Sequence, residues 1–174
     1  MATGRSNQLT KQVGEYLVAA ELARLGLIAA TFSGSVPDYD IIATDFNFRA
    51  VFVQVKAVTR KKWQFDIRRF VDVRLDGKKQ VLGRLVRERN DISCVMVALT
   101  KYGEDRFYVL SWRSLQELTV NGYRAYLEKN GWVRPKKFDS FHCAIKEHEL
   151  RDFEDKWLPE FRERRKLSVA GPDA

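Results

Sequence analysis

Val36-Pro37-Asp38-Tyr39-Asp40-Ile41-Ile42-Ala43-Thr44-Asp45 is followed, after a short break, by Arg49-Ala50-Val51-Phe52-Val53-Gln54-Val55-Lys56. Two apolar runs rich in β-branched residues flank Asp45-Phe46-Asn47-Phe48, the pattern of an antiparallel hairpin. With a three-residue loop centred on Asn47, cross-strand partners lie equidistant from it, so Asp40 faces Gln54 with Cβ atoms about 5 Å apart. Side chains alternate along a strand, which puts Lys56 on the face of Gln54. A carboxylate, an amide oxygen and an ammonium then converge at one edge of a sheet, a place suited to a divalent cation and a phosphate.

Outward from the hairpin, residues 10–26 read as a helix, because Val13, Tyr16, Leu17, Ala20 and Ala23 recur at helical steps and Gly26 supplies a stop. Residues 27–33 read as a first strand. Past Lys56, the run Thr59-Arg60-Lys61-Lys62-Trp63 breaks the apolar pattern, and residues 64–67 read as a short strand or bend. Residues 77–90 place Val81, Leu82, Leu85 and Val86 on one helical stripe and predict a helix. The continuous apolar run from Ile92 to Leu99 predicts a strand covered on both faces, with Arg106 to Leu110 as its neighbour. A helix with a stutter at Asn121-Gly122 is expected over 114–129, and a last one over 146–166, kinked at Pro159. One domain over residues 1–167 and a frayed tail over 168–174 complete the expected organisation.

The 174 residues are 45% hydrophobic and 31% charged, an ordinary globular balance, and the formal charge is +8. Such an excess points to a polyanionic partner, nucleic acid before membrane. No apolar run is long enough to cross a bilayer, and the first residues lack a signal-peptide core. Cys94 and Cys143 are the only cysteines and have no zinc-ligand spacing, which suits a reduced cytoplasmic protein. His142 and His148 fall in no nucleophilic or zinc constellation, and no glycine-rich phosphate loop is present.

Gly14-Glu15 in a leading helix, Asp40 opening the Ile-Ile-Ala strand and Gln54-Val55-Lys56 closing the next together resemble the PD-(D/E)XK nuclease superfamily, which includes many restriction endonucleases, Holliday-junction resolvases and repair nucleases. The resemblance covers residues 10–57 by motif and runs to about Leu110 by element order. It implies a restriction-endonuclease-like α/β core, a mixed central sheet flanked by helices in α-β-β-β-α-β order, with extra C-terminal helices. It also implies Mg²⁺ as cofactor, with Mn²⁺ as substitute, and DNA as partner; a homodimer would suit two-strand cutting.

On that resemblance Asp40 is the central metal-binding carboxylate. Asp38, directly after Pro37, competes for the role; Asp40 is preferred because it opens the apolar run and falls opposite Gln54. Gln54 departs from the family's usual acid: its amide oxygen can ligate a metal but brings no charge. The Val55 carbonyl offers another oxygen, and Lys56 would stabilise charge at the scissile phosphate. Val18, Ala19 and Leu22 follow Glu15 at helical spacing, so Glu15 sits in a buried stripe as a metal or water ligand, or as an acceptor for Lys56. Arg60, Lys61, Lys62, Trp63, Arg68 and Arg69, with Arg84 and Arg87 beyond, would carry the nucleic acid. The function implied is metal-assisted hydrolysis of phosphodiester bonds in DNA; the rival is a catalytically impaired nucleic-acid-binding module on the same fold.

Overall fold

A computed structural model describes residues 4–32, 38–87, 89 and 91–157. Helix α1 (Gly4–Arg24) is followed by three strands, β1 (Ile28–Thr31), β2 (Ile41–Thr44) and β3 (Ala50–Val58). Then come β4 (Lys62–Asp66), a 3-10 turn (Ile67–Arg69), β5 (Val71–Asp76), β6 (Lys79–Leu85), β7 (Ile92–Ala98), β8 (Arg106–Ser111), α2 (Trp112–Lys129), β9 (His142–Lys146) and a second 3-10 segment (Glu147–Phe153). The central sheet has the order β1-β2-β3-β7-β8. It is mixed, with β3 and β7 parallel and the other neighbours antiparallel. Two ribbons, β4-β9 and β5-β6, stand outside it.

The hairpin has the register its sequence dictates: Ile41 pairs with Val53, Ile42 with Phe52 and Ala43 with Val51, all equidistant from Asn47. Alternation then divides the core into two layers. Val53, Val55, Val95 and Val97 pack with Val18 and Leu22 of α1 on one face. Cys94, Met96, Tyr108 and Leu110 pack on the other with Trp63 and Phe65 of β4 and Leu115 and Leu127 of α2. Strand β7 has both neighbours and both layers, so all seven of its residues are buried, as its unbroken apolar run requires.

Helix α1 is rotated from the expected stripe. Val13 and Tyr16 are exposed, whereas Gly14, Glu15, Val18 and Leu22 face inward. Close approach at Gly14 accompanies this rotation, since a Cβ there would collide with that of Ala57 on β3. The helix stops at Gly26, whose φ of 85° belongs to the left-handed region that glycine enters at no steric cost.

Four expectations are corrected. Residues 77–90 do not form a helix: β6 pairs with β5 across a turn at Gly77, whose φ is 58°. Asp76-Gly77 is a hairpin dipeptide, and the buried Gln80 anchors the ribbon through hydrogen bonds to the Phe138 and Ser140 carbonyls. The crossover from β3 to β7 therefore carries β4, a 3-10 turn and this ribbon where the expected order had a helix. Helix α2 runs through Asn121-Gly122 without interruption. The last expected helix begins instead as the end of β9 and a 3-10 segment; its continuation with Pro159, and the tail over 168–174, lie outside the described residues.

Candidate functional site

Strand β2 starts one residue after Asp40, while β3 continues past the pairing at Val53. The Val55 N–H therefore has no strand partner on that side, and it donates to Asp40 Oδ2 at 2.8 Å. The N–H and C=O of one strand residue leave by the same edge, so the Val55 carbonyl also faces the Asp40 side. Asp40 Oδ1 lies 3.1 Å from Lys11 Nζ, and the same ammonium stands 3.3 Å from Glu15 Oε1. Glu15 is 8% exposed, and its Oε1 makes no directed hydrogen bond among the described residues.

The expected residues gather at the end of β3, but from two sides of the sheet. Glu15 and Lys11 reach Asp40 from the layer of α1. Gln54 and Lys56 project, with Phe52, toward the layer of β4, where Lys56 Nζ lies 4.8 Å from the centre of the Phe65 ring. Lys56 has no ion pair or hydrogen bond from its Nζ among the described residues, so the expected pairing of Glu15 with Lys56 is corrected: the partner of Glu15 is Lys11. Gln54 donates its amide to the Asp38 carbonyl at 3.2 Å, leaving Oε1 without a hydrogen bond among the described residues. Asp38 itself, at φ 77°, pairs its carboxylate with Arg89 at 3.2 Å. Helical periodicity does carry a signal for Lys11: it lies four residues before Glu15, one helical turn back.

Burial sets the electrostatics. It pushes the Lys56 ammonium below its ordinary pKa, and the neighbouring Arg69 adds like-charge repulsion that Asp40 only partly offsets. Burial likewise raises Glu15, aided by the Asp40 charge and opposed by Lys11. Lys11 is raised, because its two carboxylates outweigh the desolvation that acts against it. Burial pushes the Cys94 and Cys143 thiols up to about 12, so neither is a thiolate nucleophile at neutral pH.

The expected nucleic-acid residues divide three ways. Trp63 is fully buried and donates its indole N–H to the Lys56 carbonyl at 2.7 Å, so it packs the core and offers no face to a base. Lys61 pairs with Glu147 at 3.3 Å, and Arg68 pairs with Asp66 while lying over the Phe141 ring. Arg60, Lys62, Arg69, Arg84 and Arg87 are exposed and carry no ion pair among the described residues.

Hard oxygen donors suit Mg²⁺, and Asp40, Glu15, the Gln54 amide oxygen and the Val55 carbonyl are all of that kind. The buried Glu15 Oε1, ion-paired with Lys11 at 3.3 Å but without a directed hydrogen bond among the described residues, fits such a cation. Among the described residues no three His, Cys, Asp or Glu side chains are grouped closely enough to hold a metal by themselves. Neither the protein-family models nor the curated proteins include a match to this chain. Among solved structures, a bacterial homing endonuclease, I-Ssp6803I, is similar at a TM-score of 0.42 and 16% sequence identity, over 64% of this chain and 73% of that one.

Proposed function

We propose that this chain is a divalent-metal-dependent nuclease that hydrolyses phosphodiester bonds in DNA, on a restriction-endonuclease-like core. One observation supports the reading: at the end of β3, Asp40 is fixed by the Val55 N–H beside a buried carboxylate from α1, while a half-buried lysine with no ion pair among the described residues stands on the other face of the strand. Groups whose protonation is shifted by burial beside charged partners mark sites of chemistry.

Asp40 and Glu15, with the Gln54 and Val55 oxygens, would hold Mg²⁺, Glu15 directly or through a water. The bound ion would supply polarisation of the phosphate and a water of lowered pKa. Lys56, half-buried, would donate to a phosphate oxygen as charge grows there, and its partial removal from water would strengthen that contact. Arg69, whose charge is felt at Lys56, adds a second cation beside the scissile group. Lys11 bridges the two carboxylates and must swing out when a cation enters; half its side chain is exposed, so it has room.

A second reading, a binding module that does not cut, is favoured by the same Lys11, which already spans Asp40 and Glu15, and by the neutral Gln54. Cleavage of duplex, single-stranded, flap and four-way DNA with Mg²⁺ or Mn²⁺ separates the two. Metal-dependent cutting supports the nuclease; binding with a steep salt slope and no cutting supports the module.

A further inference from the structure

Behind the ribbon that shields Lys56 lies a second concavity. Trp63 and Phe65 of β4 face the core, so Lys62 and Gln64 face outward; Lys62 is paired with Lys146 of β9, and His142 stands at the far end of the ribbon, opposite Asp66. Between this outer face and α2 opens a cavity of about 600 Å³, within the range of small-ligand sites. Its lining holds three cations, Lys62, Arg134 and Lys146, against one carboxylate, Glu149, which is engaged by the Lys146 N–H at 2.7 Å.

The aromatic wall is preorganised. Tyr123 and Tyr126 are stacked with ring centroids 6.2 Å apart, and the Arg134 guanidinium lies over both rings at 5.8 and 5.6 Å. Arg134 is held there by the carbonyls of Ser140 and His142. Tyr123 is buried and bonded to Gln80, whereas Tyr126 is 40% exposed and offers a ring to a ligand. The floor is Gly122, in the middle of α2, where a glycine weakens a helix relative to alanine. A Cβ there would meet only Glu149 Oε1, at 3.9 Å, and would otherwise project into the hollow.

We propose that this cavity binds a nucleoside phosphate, with the base against Tyr126 over Gly122 and the phosphate between Lys62 and Lys146, which face each other across the ribbon. An aromatic face beside several cations within one concavity matches that ligand, because every base has a π-face and every nucleotide an anion. The proposal rests on the nuclease reading only for the source of the nucleotide, free or within a single strand.

The test is a titration of the metal-free full-length chain, followed by NMR, with dTMP, deoxythymidine, inorganic phosphate and a dT oligomer. The expected result is dTMP binding that shifts Gly122, Tyr126 and Lys146, tighter than either fragment, and weakened at least about fivefold in Tyr126→Ala. Lys62→Ala should weaken dTMP while leaving deoxythymidine unchanged. Oligomer binding through the same residues, tighter than dTMP, assigns a strand as the source; dTMP binding without oligomer binding assigns a free nucleotide. Phosphate binding as tight as dTMP, unchanged affinity in Tyr126→Ala, or no binding of dTMP or oligomer overturns the proposal. Repeating the titration with Asp40→Asn separates it from the nuclease reading, since that variant should bind as the parent does.

Discussion

Strand β2 carries an aspartate at each end, and the two are held in opposite ways. Asp45 is 5% exposed and is gripped by its own loop: Oδ1 accepts the N–H groups of Asn47 and Arg49, and Oδ2 takes the Arg49 guanidinium at 2.7 Å. Asp40 draws its partners from β3 and from α1, one a backbone N–H and the other a half-exposed lysine that can leave. A carboxylate that accepts the N–H groups of its own loop closes a turn. One placed by distant elements, beside a buried acid and a lysine with no ion pair, can exchange a partner for a ligand.

Five substitutions test the contrast. The largest effect is expected for Asp40→Asn and Lys56→Ala, each lowering metal-dependent cleavage by about 100- to 1000-fold. Asp40→Asn keeps an acceptor for the Val55 N–H, so its Tm should stay near that of the parent; a cooperative loss of both activity and Tm would make Asp40 structural like Asp45.

Asp45→Asn should do the reverse, lowering Tm while the folded protein cuts normally. Burial opposes ionisation of Asp45, but the Arg49 contacts prevail and hold its pKa below the ordinary value. A depressed carboxylate contributes stability above its unfolded pKa, about 3.9, and loses it as pH falls through the folded value. Melting curves of parent and variant should therefore converge in acid.

Glu15→Gln carries the opposite sign. Its folded pKa is raised, so the ionised form is disfavoured in the native state, and the penalty appears as pH rises through that value. The variant should melt higher than the parent at neutral pH, by differential scanning calorimetry, while cutting more slowly. The smallest effect is expected for Gln54→Glu, which adds a charge beside Asp40 and should tighten Mn²⁺ binding several-fold by calorimetric titration.

Much of this site was legible because it is built from local rules. The loop at Asn47 sets the register, register places Asp40 level with Gln54, and alternation puts Gln54 and Lys56 on one face. Glu15 declared its burial through Val18 and Leu22. What escaped depended on tertiary packing. Asp40 turns out of the strand to meet the Val55 N–H, which no pattern of side chains encodes. Trp63 among cations reads as a stacking surface, yet the pairing of β4 with β9 turns it inward. Strand β6 reads as a helix because its ribbon is largely exposed and lacks clean apolar alternation, so four apolar residues at helical spacing outweighed the Asp76-Gly77 turn.

The most direct measurement is the anomalous difference map of a crystal soaked in Mn²⁺, compared with that of Asp40→Asn. A peak within ligating distance of Asp40, with Lys11 displaced from it and the peak lost in the variant, is the predicted result. A saturating soak that leaves Lys11 bridging Asp40 and Glu15, with no peak at Asp40, would contradict the account.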